Sequence, residues 1–294
     1  MNQLLTFDIG GSSIKTAIIK EDGTILKKDS FPVPPDFATC IETFVAKYDE
    51  LKQDYQITGI AISAPGAVDS ESGIINGLSA VLYIHGPNWK EILNKRTGLP
   101  IAIENDANCA ALGEMYFGEG KDVQDLLYVV LGTGVGGAVI KERTLHKGTN
   151  LFGGEFGYMV LQPEPPLATW SEIASTVALS RHVNADFADK EYTTKEIFES
   201  YDNGEETFKK YVENFLRYNA LGIYNLQYVY DPELILIGGG ISQREQLPAE
   251  LTPYLQQLLN HSGAEVLPTV KLGKFKDDAN LLGAVANWLM QEVN

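Results

Sequence analysis

Five short stretches of this sequence carry groups able to handle phosphates and hydroxyls. Asp8-Ile9-Gly10-Gly11-Ser12-Ser13-Ile14-Lys15 places a carboxylate at the end of a β-prone run, followed by Gly10 and Gly11, the Ser12 hydroxyl and the Lys15 ammonium. Glycines let an anion approach the main chain, and successive N–H groups can form a nest for it. The same residues would also make an ordinary glycine hairpin with an outward Lys15. A P-loop is excluded, because the second glycine of G-x-x-x-x-G-K-[ST] is missing and a strand follows. Gly132-Thr133-Gly134-Val135-Gly136-Gly137 satisfies G-x-G-x-x-G after a strand. A dinucleotide site needs a helix next, yet AVIKERTLHKGT alternates as a strand and leaves no room for one.

Glu104-Asn105-Asp106 lies where a strand meets a helix, a position at which a rigid frame presents polar groups. Asn105 or Asp106 could be a plain N-cap. The neighbouring Glu104 and Asn105 favour a site, and the positive helix end would keep Asp106 ionised, as a base that accepts a hydroxyl proton must be. Gly154-Glu155-Phe156-Gly157-Tyr158 sets a carboxylate and a phenol beside glycines, able to accept from and donate to a polyhydroxyl ligand; a solvated loop Glu is the plainer reading. Gly238-Gly239-Gly240 ends a buried strand, where α/β proteins commonly bind ligands, or else is a tight strand-to-helix turn.

The elements that position these groups follow from hydrophobic spacing. Leu4–Ile9, Lys15–Lys20 and Thr24–Lys27 read as a three-stranded meander turned at Asp22-Gly23. Ile41–Lys52 reads as a helix, Ile57–Ser63 as a strand broken by Ala64-Pro65-Gly66, Trp89–Arg96 as a helix, Ile101–Glu104 as a strand, and Asp106 to Tyr116 as a helix. The second half restarts with strands at Leu126–Leu131 and Ala138–Glu142. Helices follow around Ser171–Asn184, Lys195–Tyr201 and Glu205–Tyr230, then the strand Leu234–Ile237 and helices at Pro248–Asn260 and Ala279–Val293. At an offset of 121, GSSIKTAIIKE (11–21) aligns with GTGVGGAVIKE (132–142), with Gly11/Gly132, Ala17/Ala138, Ile19/Ile140, Lys20/Lys141 and Glu21/Glu142 identical. Duplication is the reading this supports: an α/β chain of two related domains around a central cleft. The first is expected over 1–107, completed by the C-terminal helix 279–294, and the second over 108–278.

Composition narrows the function. The 294 residues are 44% hydrophobic and 21% charged, with a formal net charge of −16, which suits a well-buried globular core. Acidity without a basic patch disfavours nucleic acid and anionic membrane. Two cysteines and four scattered histidines offer neither a disulfide framework nor zinc spacing. The N-terminus lacks a signal-peptide pattern, and the uncharged stretch 126–140 is too short and too glycine-broken to span a bilayer. A cytoplasmic protein is expected.

In order and spacing, DIGGSSIK, ISAPG, ENDANCAALGE, GTGVGGA, GEFGYM and LIGGGIS resemble the ROK family of sugar kinases and repressors along essentially the whole chain. The resemblance implies a duplicated actin-like, ribonuclease-H-like ATPase fold, ATP and Mg²⁺, a small-molecule sugar substrate and a homodimer. It makes Asp106 the catalytic base and gives the sugar hydroxyls to Asn105 and Glu155, with Gly66, Tyr158 and Glu172 as further substrate-binding candidates. Phosphate and an indirect Mg²⁺ contact fall to Asp8, phosphate to Gly10, Gly11, Ser12, Lys15, Gly132, Thr133 and Gly134, and the nucleoside to Gly238, Gly239 and Gly240.

Three departures refine the picture. Asp8 leaves no room for a helix-turn-helix ahead of it, so DNA binding is not expected. The zinc-binding Cys cluster is absent and Tyr158 stands where family glucokinases carry His, so no zinc site is expected. Ser171 falls where many members carry a sugar-binding Glu, with Glu172 one place on, and GEFGYM is similar to the string of β-glucoside kinases. The sequence therefore reads as a kinase for O6 of a β-glucoside or disaccharide, with glucokinase or N-acetylmannosamine kinase as runner-up. A non-catalytic sugar sensor and a polymerising actin-like ATPase are the readings from other classes.

Overall fold

The computed structural model describes residues 2–187 and 190–292. The chain forms two compact units. The first takes the chain up to Asp122, the segment Lys147–Gly153 and everything from Asp277 onward; the second takes Val123–His146 and Gly154–Lys276.

The first unit runs β1 (Gln3–Ile9), β2 (Ser13–Lys20), β3 (Ile25–Pro32), α1 (Phe37–Leu51), β4 (Ile57–Ala64), the small hairpin β5 (Ala67–Asp69) and β6 (Ile74–Asn76), α2 (Trp89–Thr97), β7 (Ile101–Asn105) and α3 (Asp106–Phe117). The second runs β8 (Leu126–Leu131), β9 (Val135–Lys141), β10 (Thr144–Leu145), β11 (Val160–Gln162), β12 (Ala168–Thr169), α4 (Trp170–Ala174), α5 (Thr176–Asp186), α6 (Thr194–Asp202), α7 (Lys209–Tyr230), β13 (Leu234–Gly238), α8 (Leu247–Ser262) and β14 (Val270–Leu272). The chain then returns to the first unit as α9 (Ala279–Glu292).

The two main sheets share one plan. Their strand orders are β3-β2-β1-β4-β7 and β10-β9-β8-β13-β14, each with an antiparallel meander on one side and parallel partners on the other. The duplicated α/β architecture read from the 11–21 and 132–142 match thus holds at the level of topology. The turn between the first two strands is one residue shorter in the second copy, since Ile9 pairs with Ile14 but Leu131 with Val135.

Each sheet buries its own core. Phe7 stacks on Phe44 with ring centroids 3.8 Å apart, and Trp89 lies fully buried beside them. In the second unit Trp170 is buried and donates its indole N–H to Asn219. The parallel strands are buried on both faces, so they read as apolar runs rather than alternating ones. Among the described residues no helix is long and apolar enough to cross a membrane.

Three expectations change, and one element is unforeseen. The first unit extends beyond residue 107, because α3 packs on α9 at backbone distance: a Cβ on Gly283 would lie 1.5 Å from the Cys109 carbonyl oxygen, and one on Gly113 2.7 Å from that of Ala279. The second unit's glycine turn is confined to 132–134, and β9 begins at Val135, with Gly136 and Gly137 inside the strand. The helix expected over Ser171–Asn184 breaks at Ser175, whose hydroxyl accepts from the Ala178 N–H and restarts the chain as α5. Strands as short as β14, three residues, escape pattern reading altogether.

Candidate active site

In the first unit the candidate residues stand in a row along the carboxyl ends of the parallel strands. Asp8, Ser63 and Glu104 are register partners across β1, β4 and β7, and Asn105 follows opposite Ala64. Asp8 is buried; one carboxylate oxygen accepts from the Ser63 hydroxyl (2.8 Å) and from the Asn280 amide on α9 (3.0 Å). Its other oxygen carries no hydrogen bond to a described residue. A lone, oriented carboxylate oxygen suits Mg²⁺, which keeps several waters and is held by one or two carboxylates plus substrate phosphates. Among the described residues no group of three or more His, Cys, Asp or Glu is placed to hold a metal.

Asn105 is the N-cap of α3. Its side-chain oxygen accepts from the Asn108 N–H (3.1 Å), and its amide donates to the Gly66 carbonyl (3.0 Å). Gly66 sits at φ +102°, where a Cβ would fall 2.9 Å from the Asn76 carbonyl oxygen. Only glycine meets both demands. Asp106 is the first residue of the helix, half-buried, with one oxygen accepting from the Ala107 N–H at 2.8 Å. The cap role therefore belongs to Asn105, which places the Asp106 carboxylate at the positive end of α3 without the capping duty.

Lys15 does not extend freely from its turn: its ammonium donates to the Asp277 carbonyl at 3.0 Å. Gly10 donates its N–H to the Ser13 carbonyl, closing the turn, while Gly11 and Ser12 are exposed at its tip.

In the second unit the turn 132–134 follows β8 and Gly238–Gly240 follow β13. These parallel neighbours bring the two turns together, with the Gly239 Cβ position 2.6 Å from the Leu131 carbonyl oxygen. The Thr176 N–H and hydroxyl both donate to the Gly132 carbonyl, fixing the turn to the start of α5 and leaving Thr133 and Gly134 exposed. Gly238 is glycine for packing, because a Cβ would strike the Tyr128 hydroxyl at 1.9 Å, whereas Gly240 faces open space.

The glycines around Glu155 serve close approach to β9. A Cβ on Gly154 would lie 2.7 Å from the Gly137 carbonyl oxygen, and one on Gly157 2.0 Å from that of Val135. They press the segment onto the strand and hold Glu155 out from it. Glu155 is solvent-accessible, and desolvation by the surrounding protein raises its carboxyl above the ordinary value. Tyr158 is highly exposed. Glu172 is committed elsewhere: its carboxylate accepts from the Thr169 N–H and hydroxyl in a capping box. Ser171 is the residue at the turn, its hydroxyl accepting from the Val135 N–H (2.8 Å) and lying where a Gly157 side chain would need to be.

Sequence reasoning missed Asn280, Lys147 and the bond of Ser63 to Asp8. Asn280 reaches Asp8 from 272 residues away, and no local spacing encodes such a pairing.

The model of the ROK family matches residues 4–292. The chain is 34% identical to a β-glucoside kinase of Listeria monocytogenes over 99% of this chain and 98% of that one. It is 33% identical to a β-glucoside kinase of Klebsiella pneumoniae over 96% and 95%. Among solved structures, a ROK family protein of Streptococcus pneumoniae in complex with sucrose superposes with a TM-score of 0.91 at 36% identity, covering 99% of both chains. The fold is the duplicated actin-like ATPase fold, and the enzyme class is that of an ATP-dependent carbohydrate kinase. With matching sheets, turn positions and nearly its whole length accounted for, the chain belongs to the ROK family.

Proposed function

We propose that the chain transfers the terminal phosphoryl group of ATP to O6 of the non-reducing glucosyl unit of a β-glucoside or disaccharide. The observation that carries this reading is the nearly full-length similarity to two β-glucoside kinases. Two further points support it: the S. pneumoniae relative was solved with a disaccharide, and the small Ser171 stands where, by the family resemblance, many members carry a sugar-binding Glu.

Asp106 is the base. At the start of α3 its ionised form is favoured, and it takes the O6 proton as that oxygen attacks phosphorus, a role worth roughly 10²- to 10⁴-fold in rate. Asn105 spends one amide hydrogen on Gly66 and keeps a second for a sugar hydroxyl. Glu155 accepts from another hydroxyl. The N–H groups of Gly11, Ser12, Thr133 and Gly134 at the tips of the two turns offset phosphate charge that an acidic chain would otherwise repel, and Gly240 leaves open space for the nucleoside. Mg²⁺ would be held through water by Asp8 and would neutralise the β- and γ-phosphates. A homodimer belongs to the same reading, and sedimentation at the mass of one chain would remove it.

The test is an ADP-coupled assay over cellobiose, gentiobiose, an aryl β-glucoside, glucose and N-acetylmannosamine, with the phosphorylated carbon assigned by NMR. Faster turnover of the β-glucosides, with phosphate on C6, is expected. Free glucose or N-acetylmannosamine phosphorylated far faster than any β-glucoside overturns the acceptor assignment. Sugar binding without turnover would leave a sensor.

A further inference from the structure

Residues 147–153 fold with the first unit, although the chain on either side of them belongs to the second. The segment is closed on itself, the Gly153 N–H donating to the Lys147 carbonyl at 2.8 Å, with Gly148 and Leu151 at positive φ. It is fastened by Lys147. The ammonium spends its three protons on the Glu104 carboxylate (2.8 Å), the Ser70 hydroxyl (2.7 Å) and the Val68 carbonyl (3.3 Å). Glu104 is only 2% exposed. Its other oxygen accepts from the Asn105 N–H (2.8 Å) and the Asn108 side-chain amide (3.0 Å), so one carboxylate ties the lysine to the first turn of α3.

From these contacts we infer that Lys147 is a positioning residue for the sugar acceptor, acting through Glu104 on Asn105 and Asp106. The inference rests on the kinase reading above. Glu104 orients the main chain of the residue that caps α3, and Asp106 is the next residue along. The lysine therefore acts on the sugar contacts at the start of α3 through Glu104, as a positioning residue and not as a ligand. A buried carboxylate that loses its ion-pair partner, the one it has among the described residues, must recruit water or another donor, which pulls at the Asn105 N–H. Glu104 has no such alternative among the groups facing it: the Asn105 and Asn108 donors already serve its other oxygen, and Cys109, whose thiol contacts the Glu104 carbonyl, is buried with its ionisation suppressed.

The experiment compares wild type, Lys147→Met, Lys147→Arg and the double variant Lys147→Met/Glu104→Gln. Circular dichroism melts confirm folding, and KM for sugar and for ATP are measured separately with the best acceptor. Lys147→Met should raise the sugar KM by about 10- to 10²-fold, the scale of a misplaced contact remote from the chemistry, while the ATP KM stays within about twofold. Lys147→Arg, which keeps the charge, should recover part of the loss. The double variant, with no orphaned charge, should melt above Lys147→Met yet keep a raised sugar KM, because a neutral amide holds the Asn105 N–H less firmly than the ion-paired carboxylate. An unchanged sugar KM in folded Lys147→Met or in the double variant overturns the inference while the kinase reading stands. Equal rises in both KM values also overturn it, as the mark of general loosening. A wild type that phosphorylates no sugar sinks the kinase reading, and this inference with it.

Discussion

Replacing Asp106 by Asn isolates chemistry from architecture. The carboxylate oxygen that accepts from the Ala107 N–H at 2.8 Å has an equivalent in the amide oxygen, so the local bond survives the change. Asn105 remains the N-cap, with its bonds to Asn108 and Gly66 untouched. The attraction of the charge to the helix start accounts for about 0.3–1 kcal/mol of what is lost in stability. What is lost in catalysis is the base, about 10²- to 10⁴-fold in kcat, or roughly 3–5.5 kcal/mol of barrier. The ATP KM should change by less than about twofold, because a base acts mainly in the transition state. Steady-state kinetics in an ADP-coupled assay, alongside thermal melts, measures both. Asn105→Ala is the opposite control: it removes the cap and the Gly66 bond, and should cost about 0.5–2 kcal/mol of stability. A folded Asp106→Asn enzyme within tenfold of wild-type kcat would refute the assignment of the base.

Other outcomes follow from the same geometry. In the proposed role Glu155 accepts from a sugar hydroxyl more strongly when ionised, and desolvation raises its carboxyl above the ordinary value; the sugar KM should therefore rise as pH falls through that raised value, and Glu155→Gln should show a higher KM without this rise. Identical pH profiles for the two would exclude the role. Ser171→Glu should lower the ratio of β-glucoside to glucose turnover by about tenfold or more by narrowing the space beside the acceptor; an unchanged ratio would show that this position does not read the aglycone. Burial pushes the Cys40 thiol up to about 12 and the Cys109 thiol well above its ordinary value. Both should resist alkylation in the native enzyme and react only after denaturation, as counted by mass spectrometry.

The sequence displayed the architecture wherever one residue type had a local duty. The repeated glycine-strand segment at 11–21 and 132–142 predicted two sheets of one plan, and the paired sheet orders have that form. Asn105 and Asp106 could be placed at a strand-to-helix junction because cap chemistry is written in adjacent residues. Function and packing were harder to separate among the glycines: Gly238 looks like part of a ligand turn but makes room for Tyr128, and Gly136 and Gly137 look like a turn but lie within β9. Glu172 shows the same difficulty for an acid, since a capping box and a sugar contact call for the same residue. Pairings between distant segments, such as Asp8 with Asn280 or Glu104 with Lys147, leave no periodic trace and emerge only once the chain is folded.

The close packing of α3 against α9 has a bearing on biosynthesis. The helix that seals the first unit is synthesised after the whole of the second, so the first unit cannot finish folding until Ala279–Glu292 has emerged, while the second has all its residues once Lys276 emerges. The usual order, amino-terminal part first, is thus reversed, and the α3 surface around Gly113 waits uncovered until α9 is made. Truncations that remove α9 should accordingly harm the beginning of the protein more than its middle.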